Sequence, residues 1–139
     1  MSVQISFDHF QINVLNYKFE NMKDNQSSNT DFNITKITVN ISDTKDNAEV
    51  FIAGNIKETS ENKDIIRSLN LSVSYYYSIH NVISDNSFLE AQKYLKEYGI
   101  NTSIVMYEEL VKQITSIDYN TPIVLNGFVM PGAIKSEDA

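Results

Sequence analysis

The chain contains no cysteine. That excludes a disulfide framework, a thiolate zinc site and a cysteine nucleophile. Glycine is also scarce, with 4 in 139 residues, and no Gly-rich phosphate loop or nucleophile elbow is present. The two histidines, His9 and His80, are 71 positions apart (80 minus 9) and neither sits in a His-x-x-x-His spacing, so they read as structural or surface residues and not as metal ligands. Glu108 and Glu109 read as a solvated helix face and not as an acid–base pair. The expectation is a protein that is not an enzyme and carries no cofactor and no metal. Basic charge is limited too: 11 Lys plus Arg against 18 Asp plus Glu give a net charge of -7. A nucleic-acid partner would require a basic footprint, so none is expected. No apolar run approaches the roughly 20 residues of a membrane span. The opening residues Met1 to Asp8 lack a basic region followed by an apolar one, so no signal peptide is expected and the cytoplasm is the default location.

The length suits one domain, residues 1–139, with enough chain for a buried core. The first half has the period of strands. Phe10, Ile12 and Val14 alternate with polar neighbours, and Tyr17 and Phe19 resume after a phase change at Leu15. Such a slip predicts a bulge or bend. Residues 22–30, rich in Asn, Ser and Asp, read as a mobile loop. Phe32 and Ile34, then Ile37, Val39 and Ile41 after a slip near Thr35–Lys36, form a second strand. Val50, Ile52 and Ile56 mark a third, between charged connections at Ser42–Asn47 and Lys57–Asp64. The fourth has the clearest alternation: Leu69, Leu71, Val73, Tyr75, Tyr77 and Ile79 against small polar residues. Short polar connections imply an antiparallel meander with one face on a core. The period then changes to 3.6. Ser87 and Glu90 have capping-box spacing, Gly99 reads as a stop, and Asn101 or Thr102 as the cap of a second helix that ends before Pro122. The expected class is α+β, a four-stranded antiparallel sheet followed by two helices packed on one face.

Two stretches fit this frame less simply. Ser74–Ser78 is a run of three tyrosines between serines, and the chain beyond Pro122 is almost uncharged and apolar. Each permits two readings. The tyrosines either fill the core or form an aromatic surface for an apolar or extended peptide. The segment after Pro122 either packs inside or lines a binding surface.

The order of these elements and several strings resemble the SecB and SecB-like chaperone family. "FQI" at Phe10–Ile12 and "FE" at Phe19–Glu20 are similar to the start and end of that family's first strand. "YSI" at Tyr77–Ile79 resembles the end of its fourth. "IVMYEELVKQITS" from Ile104 to Ser116 resembles its long helix, with Tyr107 at the tyrosine, and "TPIVLNGFV" resembles the segment that follows. The likeness runs from about Phe10 to Pro131 and rests on order and spacing; no single motif is specific.

The resemblance implies a homotetramer built as a dimer of dimers. It also implies a holdase that keeps unfolded or extended polypeptide in apolar grooves, for protein export with SecA or for a dedicated client such as an antitoxin. Under that reading the peptide-binding residues are Tyr77, Tyr107, Val124, Leu125 and Phe128, and Glu20 is a partner-docking residue. Helix Ser87–Tyr98 carries Phe88, Leu89, Ala91, Tyr94, Leu95 and Tyr98, more apolar surface than one sheet contact requires, which suits pairing between copies. Three departures stand out. Met106 replaces a proline of the family helix, Asn16 and Asn70 stand where SecB carries acidic residues that dock SecA, and the end is a short tail, residues 132–139. A structural or regulatory interaction protein that keeps the fold without chaperone activity is the alternative.

Overall fold

A computed structural model describes residues 2–20, 28–117, 122–125 and 134–136. Four long strands come first, β1 (Gln4–Phe19), β2 (Ser28–Ile41), β3 (Asn47–Ser60) and β4 (Ile65–His80). Helix α1 (Asp85–Tyr94), a π turn (Leu95–Gly99) and helix α2 (Ile100–Thr115) follow, and a short strand β5 (Ile134–Ser136) comes last. The sheet order is β1-β4-β3-β2-β5, antiparallel except for β5, which runs parallel to β2 along Ile37–Val39. The α+β class with an antiparallel four-stranded sheet and a helical layer on one face is therefore correct, but the two expected helices run on as one through the π turn, with right-handed backbone at every junction. The meander holds only for β2 to β4, because β1 pairs with β4. Alternation specifies which face a strand buries, not which neighbour it takes. The expected loop at 22–30 is shorter: residues 28–30 belong to β2 and residues 22–27 lie outside those described. Of the tail, 134–136 form β5.

The helix-side face of the sheet is the core. Leu69, Leu71, Val73, Tyr75, Tyr77 and Ile79 of β4 are buried there beside Val50, Ile52 and Ile56 of β3 and Ile37, Val39 and Ile41 of β2. The alternation read from β4 is thus the alternation observed. The Tyr75 hydroxyl is buried with no hydrogen-bond partner among the described residues, and that burial pushes its pKa up.

The helical layer departs from expectation at its caps. Ser84, not Ser87, is the N-cap of α1, and Ser87 is its reciprocal partner at N3. Gly99 does not stop a helix. It stays right-handed at φ -63, and the Ile100 N–H reaches back to Leu95 O in an i→i+5 bond. Asn101 lies inside the helix, where its side chain bonds Glu97 O. The reason lies in the spacing of the buried positions. Ala91, Leu95, Gly99, Ser103, Tyr107 and Val111 recur every four residues, longer than the 3.6 of an α-helix, and the wider π turn absorbs part of that excess. Small residues at 91, 99 and 103 let the helix approach the sheet.

Tyr107 marks the closest approach. Its hydroxyl donates to Leu71 O at 2.9 Å, and its ring stacks on Phe32. A Cβ at Gly54 would lie 2.7 Å from that hydroxyl and 3.2 Å from the Phe32 ring. Gly54→Ala is expected to destabilise the fold by about 1–3 kcal/mol through overpacking. Tyr107→Phe in the same chain should recover part of the loss by removing the clashing oxygen. Urea denaturation of the two single variants and the double variant checks this, and strictly additive losses would contradict the contact.

Candidate functional site

The helices leave one apolar row of the sheet uncovered. Cross-strand partners share a face. On β1, Phe7, Phe10, Ile12, Leu15 and Phe19 stand opposite Tyr77, Tyr75, Val73, Leu71 and Arg67, all of them buried on the helix side. Tyr17 and Ile5 belong to the same row. Yet Phe7, Phe10 and Leu15 are 41%, 45% and 47% exposed. Two register shifts create the row, one between Phe7 and His9 and one between Ile12 and Val14. Each inserts one residue, Asp8 or Asn13, and flips the alternation back. Asn13 is anchored by donating to Ser74 Oγ at 2.8 Å. The slip thus falls before Val14 rather than at Leu15, and Val14 turns to the other face.

At one end this row opens into a cavity of about 330 Å³, lined by Ile5, Phe7, Tyr77, Tyr94, Tyr98, Gly99 and Thr102. Phe7 meets Tyr77 edge-on at 5.7 Å, and Tyr94 and Tyr98 lie 6.0 Å apart. Tyr98 belongs to the π turn and Tyr94 directly precedes it, a common setting for functional sites. The Tyr77 hydroxyl pairs with Ser103 Oγ at 2.7 Å and lies 3.1 Å from Gly99 O. Burial pushes its pKa up, and the Ser103 bond partly offsets this. Tyr94 donates to Glu90 at 2.6 Å, and that carboxylate raises its pKa. The cavity offers aromatic faces with a few hydroxyls, suited to an apolar side chain. Among the described residues, no three His, Asp or Glu side chains form a metal cluster.

The residues expected at a peptide site are spread along α2. Tyr77 sits under its first turn and lines the cavity. Tyr107 is at its middle, 1% exposed, its hydroxyl satisfied by Leu71 and its pKa raised by burial. Past the C-terminal end, Val124 is 56% exposed and Leu125 is buried. Sixteen helical residues span about 24 Å, so these positions make a line, not one pocket. Phe128 lies outside the described residues. Glu20 is exposed at the end of β1, its N–H bonded to Ile66 O.

No protein-family model matches the sequence, and no curated protein matches it. Among solved structures, the chain superposes on the SecB-like chaperone Rv1957 of Mycobacterium tuberculosis, determined in complex with a ChAD peptide from the Rv1956 HigA1 antitoxin. The TM-score is 0.69 with 11% identity, over 91% of this chain and 92% of that one. The chain has the SecB-like fold. A protein of unknown function from Streptococcus agalactiae also aligns, at TM-score 0.38 and 8% identity, over 91% of this chain and 99% of that one.

On this SecB-like sheet the face away from the helices carries a polar row. Asn33, Asn55, Asn70 and Asn16 pair in register across four strands as one row, flanked by Ser68 and Ser72. His9 stacks on Tyr76 at 4.7 Å on the same face. The exposed row on β1 and the paired tyrosines of the π turn were not singled out from sequence. The available signal was the apolar series 5, 7, 10, 12, 15, 17, 19, whose two slips hide a single face. Among the described residues no helix is long and apolar enough to cross a membrane.

Proposed function

We propose that this chain is a holdase that binds unfolded or extended polypeptide along the apolar face beside its helices. The observation that carries the reading is the uncovered row Phe7–Phe19, leading into a tyrosine-lined cavity. A row of β-spaced apolar side chains presents contacts to an extended chain without demanding one sequence. The Mycobacterium tuberculosis neighbour's complex with an antitoxin peptide supports an extended polypeptide as the ligand class. Tyr77 contributes the cavity floor and Val124 an exposed contact. Tyr107 and Leu125 build the wall from within.

The working form is a homotetramer, a dimer of dimers in the cytoplasm. The apolar side chains of Leu89, Tyr98 and Val105, all more than half exposed, supply further surface for pairing between copies. A dedicated client such as an antitoxin is favoured over export with SecA. The face away from the helices carries Asn16 and Asn70, with Glu20 at its margin, and so offers little negative charge to steer a basic partner.

The unmodified protein should suppress aggregation of an unfolded protein at stoichiometric ratios, as read by light scattering. Val124→Asp should weaken that suppression about tenfold, since it sets an unpaired charge against an apolar client, while its melting temperature stays within a few degrees. Failure to suppress aggregation, together with failure to bind any extended peptide, would leave a non-chaperone interaction protein. Binding of one peptide without general suppression would mark a dedicated client.

A further inference from the structure

The chain beyond α2 does not simply trail away from the helix. Thr115, the last residue of α2, is fully buried and uses every polar atom it has at that end. Its carbonyl accepts from Arg67 Nη1 at 2.9 Å, and Arg67 Nε in turn donates to Glu58 Oε1 at 2.9 Å. Its hydroxyl donates to Val111 O at 2.7 Å. The proton is thereby committed inward, and the oxygen faces out as an acceptor. The Ile123 N–H, eight residues on, donates to it at 2.8 Å. Pro122 has no N–H to compete, and on either side of exposed Val124 the side chains of Ile123 and Leu125 are buried. One buried hydroxyl thus closes the loop after the helix and holds an in–out–in alternation that leaves Val124 facing outward.

We propose that Thr115 is a positioning residue for the client-binding segment. It latches residues 122–125 to the helix end, and the Glu58–Arg67 pair holds the latch in place. The inference rests on the reading of Val124 as a client contact. The latch also has a readout that involves no client.

In the unmodified protein the Ile123 amide should exchange with solvent at least about tenfold slower than an unbonded amide, because it is bonded in a buried site. Equal, fast exchange would overturn the latch without any variant. Thr115→Val keeps the shape and removes the acceptor. It should speed exchange at Ile123 about tenfold or more and weaken binding of an extended apolar peptide about five- to tenfold. Exchange at Tyr75, deep in β4, should stay slow. Thr115→Ser should restore both, and Ser116→Ala, which removes a hydroxyl bonded to Gln113 O, should change neither. Faster exchange at Ile123 and Tyr75 alike would assign Thr115 to general stability. Release of Ile123 with unchanged peptide affinity would separate the latch from binding and overturn the positioning role. If the unmodified protein binds no peptide, the proposed function fails, and the positioning of residues 122–125 is judged by the exchange results alone.

Discussion

Arg67→Met should lower the stability of the protein by about 3–5 kcal/mol, because it takes the guanidinium away from a buried carboxylate. The Arg67 and Glu58 side chains are 4% and 9% exposed and meet at 2.9 Å. Arg67 also holds the end of α2 through Thr115 O. Its removal therefore leaves Glu58 desolvated and weakens the junction between sheet and helix. The companion variant Glu58→Gln with Arg67→Met should lose less than Arg67→Met alone, since it buries an amide in place of a carboxylate. Urea denaturation at neutral pH measures both. A loss below about 1 kcal/mol for Arg67→Met would place the pair among solvent-screened surface bridges and contradict the burial.

Tyr107→Ala should cost a similar amount, about 3–5 kcal/mol, by opening a cavity between α2 and the sheet. Tyr107 is among the largest fully buried side chains, and it touches Phe32, Gly54 and Leu71. Tyr107→Phe separates its two contributions. It keeps the packing and removes the bond to Leu71 O, for a loss of about 1 kcal/mol. The same variants test what Tyr107 does for a client. A residue that supports the groove from within loses stability on truncation while the folded fraction keeps its peptide affinity. If Tyr107→Phe leaves stability unchanged and weakens peptide binding, Tyr107 is a direct contact.

Much of the fold was legible because its strongest signals are local. The odd-numbered residues of β4 face the core, and the slip near Thr35–Lys36 is a real register shift between Ile34 and Lys36. What was not legible depends on partners distant in sequence. The pairing of β1 with β4 needs contacts between residues about sixty positions apart, for which alternation carries no address. Glu58 lies in a stretch whose charges suggest a solvated connection, yet it is buried because Arg67 meets it across a hairpin. Gly99 has the composition of a stop and the conformation of a helix, and a Cβ there would press on the Leu95 side chain at 3.3 Å. The candidate site divides in the same way. Tyr77 and Val124 were legible as an aromatic and an apolar residue in suggestive segments. The exposed β1 row was not, since exposure depends on how far the helical layer reaches across the sheet. The Thr115–Ile123 latch was equally hidden, as threonine at a helix end has no distinctive pattern.

An extended apolar polypeptide is expected to bind on the helix side of this sheet. Amide exchange of the protein with and without such a peptide, read residue by residue, tests it most directly. Added protection is expected along β1 from Ile5 to Phe19, around Tyr98 and Thr102, and at residues 123–125. Protection confined to the opposite face, along Asn16, Asn70, Asn55 and Asn33, or none at any peptide concentration, would contradict it.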